Sequence, residues 1–131
     1  MPWAVEAMTV DALRIVVADD DSNVRTALVA LLEATRDVTV VGAACDAGEA
    51  VDLVASRRPD VVILDVVMPG DGVRAAQRIR EVSPVTRVVA LSAHDTQTYR
   101  RQMREAGAIA YLVKGDVGVE LGQVLSDLRT G

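Results

Sequence analysis

Apolar, β-branched segments recur along the chain at near-constant spacing: LRIVVA from Leu13, VTVVGA from Val38, VVIL from Val61, RVVALS from Arg87 and AYLV from Ala110. Their starts lie 25, 23, 26 and 23 residues apart, room for one strand, one crossover helix and two short loops. Between them the apolar spacing turns helical. The first intervening segment places Val24, Leu28, Leu31, Leu32 and Thr35 on one stripe, and the last places Val117, Leu121, Val124, Leu125 and Leu128 on another, so both are expected to face a core. Helix starts are marked by Asp21 or Ser22, by Asp46 with Glu49 in a capping box, and by Asp116; Pro59 and Pro84 stop the helices before the third and fourth strands. Five alternations of strand and helix predict an α/β fold, an open, doubly wound parallel sheet of five strands with five helices.

No Gly/Ser/Pro-rich linker divides the chain, and 131 residues suit one domain. Residues 13–131 are expected to form it, with residues 1–12 a loosely attached N-terminal extension in which Met8 is an alternative start. Aromatics are only 2% and Phe is absent, so aliphatic side chains must build the core, as buried parallel strands require. A single cysteine, Cys45, excludes an internal disulfide and points to a reducing, cytoplasmic setting; Cys45 is expected to be a small buried residue. With one histidine, a Cys/His zinc site is excluded as well. The first residues lack an export signal, and no apolar run approaches the roughly 20 residues that span a bilayer, so no membrane partner is expected. A net charge of −5 argues against nucleic acid binding by the surface as a whole.

In a sheet of this kind ligands bind beyond the carboxyl ends of the strands. Asp19 and Asp20 follow the first strand, Asp65 the third, Ser92 the fourth and Lys114 the fifth. Asp65 interrupts the apolar run VVILDVVMP, where a carboxylate is unfavourable unless the strand end uses it. If the first and third strands are neighbours, Asp19, Asp20 and Asp65 converge, and three like charges repel unless a cation intervenes. An all-oxygen, water-accessible set of that sort suits Mg2+. A carboxylate nucleophile, a divalent cation, a lysine and a hydroxyl are the parts needed to receive a phosphoryl group, with Asp65 as acceptor.

The strings RIVVADDDSNVR, PDVVILDVVMPGDG, VVALSAHD and GAIAYLVKG, in that order over residues 13 to about 129, resemble the receiver domain of bacterial two-component response regulators. The ADD opening and YLVKG are most similar to receivers that precede a LuxR-type helix-turn-helix output domain. The resemblance implies a flavodoxin-like strand order, 2-1-3-4-5. It also implies that Asp65 takes phosphate from a sensor histidine kinase, that Asp20, Asp65 and the main-chain carbonyl of Val67 bind Mg2+ with Asp19 acting mainly through water, and that Ser92 and Lys114 hold the phosphoryl oxygens. Tyr111 matches the switch aromatic of the family, whose side chain turns inward as Ser92 moves toward the phosphate. The first helix would form part of the kinase-docking face. Val67 and His94 occupy positions that flank the path of the hydrolytic water, and the apolar Val67 is expected to slow phosphate loss.

Two departures from the family pattern stand out. MPGDG, Met68 to Gly72, is one residue shorter than the common MPGMDG, which bears on how the third helix begins, and Gly115 follows Lys114 where many members have proline. The implied protein is not an enzyme but a two-state switch whose equilibrium the phosphate biases. The face made by helix four, strand five and helix five, with Tyr99, Arg100, Arg101 and Arg104 on helix four, would serve a homodimer or an output domain. DNA would be reached only through an output domain outside this chain. The competing readings are a degenerate receiver that serves as a dimerisation module without phosphate, and a Mg2+-dependent phosphatase of the haloacid dehalogenase type. The latter wants a second aspartate where Val67 stands.

Overall fold

A computed structural model describes residues 12–115 and 117–130. Ten elements alternate along them: β1 (Leu13–Ala18), α1 (Ser22–Glu33), β2 (Val38–Ala44), α2 (Ala47–Arg57), β3 (Val61–Asp65), α3 (Gly72–Val82), β4 (Arg87–Ser92), α4 (Gln97–Glu105), β5 (Ala110–Val113) and α5 (Val117–Thr130). The strands are all parallel in the order β2-β1-β3-β4-β5, as expected. Side chains of a strand alternate between faces, so two cores form. Val16, Ala18, Val62 and Leu64 point into one core with Ala50, Val54, Ile79 and Met103 of α2, α3 and α4. Ile15, Val17, Ile63 and Leu91 point into the other with Leu28, Leu32, Leu121 and Leu125 of α1 and α5. β3 is buried along its whole length because helices cover both faces of a central strand. Among the described residues no helix is long and apolar enough to cross a membrane.

Helix starts follow the expected chemistry. Asp21 caps α1 by accepting the N–H groups of Asn23 and Val24. Asp46 accepts Glu49 N–H at 2.8 Å, but the Glu49 carboxylate reaches back to Cys45 N–H, one residue before the cap. Arg58 and Ser83, the residues before Pro59 and Pro84, leave the helical region and end α2 and α3, because the proline ring crowds a helical predecessor. The cap assigned to Asp116 lies outside the described residues, as does the extension up to residue 11.

Two burial expectations are corrected. Leu31 is 40% exposed, because Leu28 and Leu32 already take the inward direction of α1 and Leu31 falls on the flank of the stripe; Thr35 beside it is half-buried and bonds the Leu31 carbonyl. Cys45 is exposed, because it lies just past the end of the edge strand β2, where no neighbouring strand or helix covers it.

The shortened MPGDG loop closes by backbone geometry. Gly70 has φ +90° and Asp71 φ +73°, two consecutive left-handed residues, and Asp71 then caps α3 through Val73 N–H at 2.9 Å. Gly72 is pressed against the end of β3: a Cβ there would lie 2.2 Å from the Asp65 carbonyl oxygen. The loop is thus anchored directly beneath the residue it follows.

Candidate functional site

The strand order makes β1 and β3 neighbours, and their ladder runs to Ala18 opposite Leu64, so the residues after it leave the sheet side by side. Carboxylate oxygens of Asp19, Asp20 and Asp65 lie within 4.8 Å of one another. Asp19 and Asp65 are buried and Asp20 is exposed at the mouth. β5 ends beside β4, the Lys114 N–H bonds the Ser92 carbonyl at 2.8 Å, and the Lys114 side chain turns into the acid cluster. Its Nζ lies 2.9 Å from Asp19 Oδ2 and 3.2 Å from Asp65 Oδ2.

The remaining lone pairs are unequally used. Asp65 Oδ1 accepts the Val67 N–H at 3.1 Å, and Asp19 Oδ1 accepts the Asp21 N–H at 2.9 Å. Asp19 Oδ2 is buried and makes no aligned hydrogen bond; the ammonium approaches it as a charge, off the hydrogen-bond direction. Burial foremost, then the negative charge of Asp19, raises the Asp65 carboxyl to about 6, against the opposing pull of Lys114 and the Val67 N–H. Burial works against the Lys114 charge, but Asp19 and Asp65 outweigh it and its pKa rises. One lysine therefore balances a cluster of three acids only in part. A buried acceptor without a hydrogen bond, within an all-oxygen donor set open to water on the Asp20 side, is the environment a hard divalent cation fits.

Ser92 ends β4 in the buried interior, where its Oγ accepts the His94 N–H at 3.0 Å. His94 is exposed, and its carbonyl accepts the Tyr111 hydroxyl at 2.5 Å. Tyr111 is half-buried under the Arg100 guanidinium, which lies 4.7 Å from the ring centroid and pairs with Asp95. Val67 is 47% exposed at the rim. The structure thus joins Asp19 and Asp65 through Lys114 and brings Asp20 to within 4.8 Å of both, places Val67 beside Asp65 through its N–H and Ser92 at the end of the neighbouring β4, and ties His94 to Ser92 and Tyr111 to His94. One cation escaped the sequence reading: Arg25 bonds the Asp19 main-chain carbonyl at 2.7 Å. Asp19 lies in the loop before α1 and offers only its main-chain carbonyl, so no side-chain periodicity links it to Arg25.

A parallel five-stranded sheet of order 2-1-3-4-5 with an acid cluster and a lysine at the carboxyl ends of its strands defines a flavodoxin-like α/β domain with its polar site where that fold places ligands. The response regulator receiver domain family matches residues 15–124, and the chain belongs to that family. It is 35% identical over 122 residues to the probable transcriptional regulatory protein NarL of Mycobacterium tuberculosis, covering 92% of this chain and 56% of the relative. It is 38% identical over 122 residues to the transcriptional regulatory protein LiaR of Bacillus subtilis, covering 91% and 57%. The chain spans about half the length of these curated relatives. Among solved structures, the signal receiver domain of the putative response regulator NarL from M. tuberculosis superposes with a TM-score of 0.86 at 35% identity, covering 93% of this chain and 99% of that one. A LuxR-family two-component response regulator from Aurantimonas sp. SI85-9A1 gives a TM-score of 0.84 at 32% identity, covering 92% and 87%.

Proposed function

We propose that this domain is a phosphorylation-controlled switch in which Asp65 accepts a phosphoryl group from a sensor histidine kinase and thereby controls a transcriptional output carried outside this chain. The observation that carries the reading is the convergence of Asp19, Asp20 and Asp65 within 4.8 Å, with Lys114 paired to Asp19 and Asp65. A carboxylate oxygen of Asp65 attacks the phosphorus of the phosphohistidine; the P–O bond forms as the P–N bond breaks, and the imidazole leaves with its electron pair and takes a proton from water. Mg2+ fits the acids present: Asp20, Asp65 and the Val67 carbonyl would hold it, with Asp19 behind them. When bound, the ion supplies charge neutralisation for the transferring oxygens.

The protein's own groups do the rest. Lys114 offers a point charge to a phosphoryl oxygen, and the Val67 N–H keeps Asp65 oriented. The Ser92 hydroxyl would exchange its His94 N–H for the phosphoryl group, and because the His94 carbonyl is also bonded to Tyr111, that exchange would loosen the hold on Tyr111 and Arg100 at the α4–β5 face. The face of α4, β5 and α5 would then change its fit for a second copy or for the output domain, while the phosphate biases an existing equilibrium. The role is stoichiometric signalling by residues 13–131 and not turnover. The test is incubation with Mg2+ and acetyl phosphate, followed by intact mass. One added phosphoryl group, absent in Asp65→Asn, supports the reading; a folded domain that stays unmodified overturns it.

A further inference from the structure

Arg25 lies in the first turns of α1, half-buried, and its side chain turns back toward the strand ends. Nη1 donates to the main-chain carbonyl of Asp19 at 2.7 Å. Because the bond goes to a carbonyl, it leaves the acid oxygens unneutralised while fixing the peptide plane that joins Asp19 to Asp20. Asp19 is held at every oxygen: the carbonyl by Arg25, Oδ1 by the Asp21 N–H, Oδ2 by the Lys114 charge. The Asp20 carboxylate has no such hold; it is exposed and makes no hydrogen bond or ion pair among the described residues. It lies near Asp19 and Asp65 on a backbone held by the Asp19 N–H to the Ala44 carbonyl on one side and by Arg25 at the Asp19 carbonyl on the other.

We propose that Arg25 is a positioning residue for the divalent cation, holding the Asp19–Asp20 peptide so that Asp20 meets Asp65 across the pocket. The inference rests on the Mg2+ reading above. Two effects oppose one another. A guanidinium near the pocket repels a dication, but it is half in solvent and screened. Partners that orient metal ligands are worth about 10- to 100-fold in affinity, so positioning wins over repulsion.

The experiment is calorimetric titration of the whole chain with Mg2+, comparing wild type, Arg25→Met, which keeps the packed stem without a donor, and Arg25→Lys, which keeps one donor and the charge. Urea unfolding in chelator checks each fold. Arg25→Met is expected to weaken Mg2+ binding about tenfold and Arg25→Lys to regain part of it. Unchanged or tighter binding by Arg25→Met, or equal weakening in both variants, overturns the role of Arg25. Should Arg25→Met not fold, Arg25→Lys decides alone, with weaker binding supporting the role and unchanged binding refuting it. A wild-type domain that takes no Mg2+ refutes the functional reading itself, a result distinct from normal Mg2+ binding that ignores residue 25.

Discussion

Replacing Asp65 with Asn removes a charge that the folded domain holds at a disadvantage. Burial and the neighbouring Asp19 raise the Asp65 carboxyl from 3.8 to about 6, so the native state binds this proton more tightly than the unfolded chain does. Below pH 3.8 both states are protonated and the residue is neutral toward stability. As pH rises toward 6 the unfolded chain ionises first, native stability falls, and above 6 the full penalty is present. That displacement corresponds to about 3 kcal/mol, an upper figure because Lys114 loses one of its two partners in the variant. Asn keeps the size of the side chain and an oxygen for the Val67 N–H. In chelator at pH 7.5, Asp65→Asn should be more stable than wild type by about 1–3 kcal/mol in urea unfolding, and the difference should shrink as pH falls from 6 to 4. Mg2+ should narrow the gap from the wild-type side, by about 2.7 kcal/mol once its concentration reaches about 100 times the dissociation constant. A gap that ignores pH, or a folded variant that is less stable at pH 7.5, would refute the strain assigned to Asp65.

Lys114→Met should leave Asp19 and Asp65 buried without their cation and lower stability at pH 7.5 by about 2–4 kcal/mol in chelator, with partial recovery on adding Mg2+ or lowering pH to 5; urea unfolding reads both. Gly72→Ala places a methyl 2.2 Å from the Asp65 carbonyl oxygen and 2.5 Å from that of Val66, so it should destabilise by about 3 kcal/mol and slow phosphorylation by acetyl phosphate, as the shift moves Asp65. Asp71 combines a left-handed φ with a cap: Asp71→Gly should be neutral or more stable by up to about 1 kcal/mol, and Asp71→Ala less stable by about 1 kcal/mol, in thermal unfolding. Val67→Glu at the exposed rim should shorten the lifetime of the phosphorylated form, followed by intact mass after donor removal; an unchanged lifetime removes Val67 from that role.

The apolar runs at Leu13, Val38, Val61, Arg87 and Ala110 determined the strands by themselves, because parallel strands covered by helices on both faces are mostly apolar, most completely in the central β3 and least in the edge strand β2 with its exposed Thr39. Asp21, Asp46 and the two prolines fixed helix limits through bonds and clashes that reach only a few residues. Asp65 stood out for the same local reason, a carboxylate in an otherwise buried run. Neighbourhood between elements was not written locally. That Asp19 and Asp65 meet follows from the strand order, which makes β1 and β3 neighbours, and Lys114 joins them only because its long side chain reaches across the end of β4 from β5. The exposure of Leu31 and Cys45 was decided by what else occupied the core, and the grip of Arg25 on the Asp19 carbonyl by how a long side chain folds back across a loop. Periodicity along one segment carries which face is apolar; only the assembled sheet determines which charges meet, and their pKa values follow from that meeting.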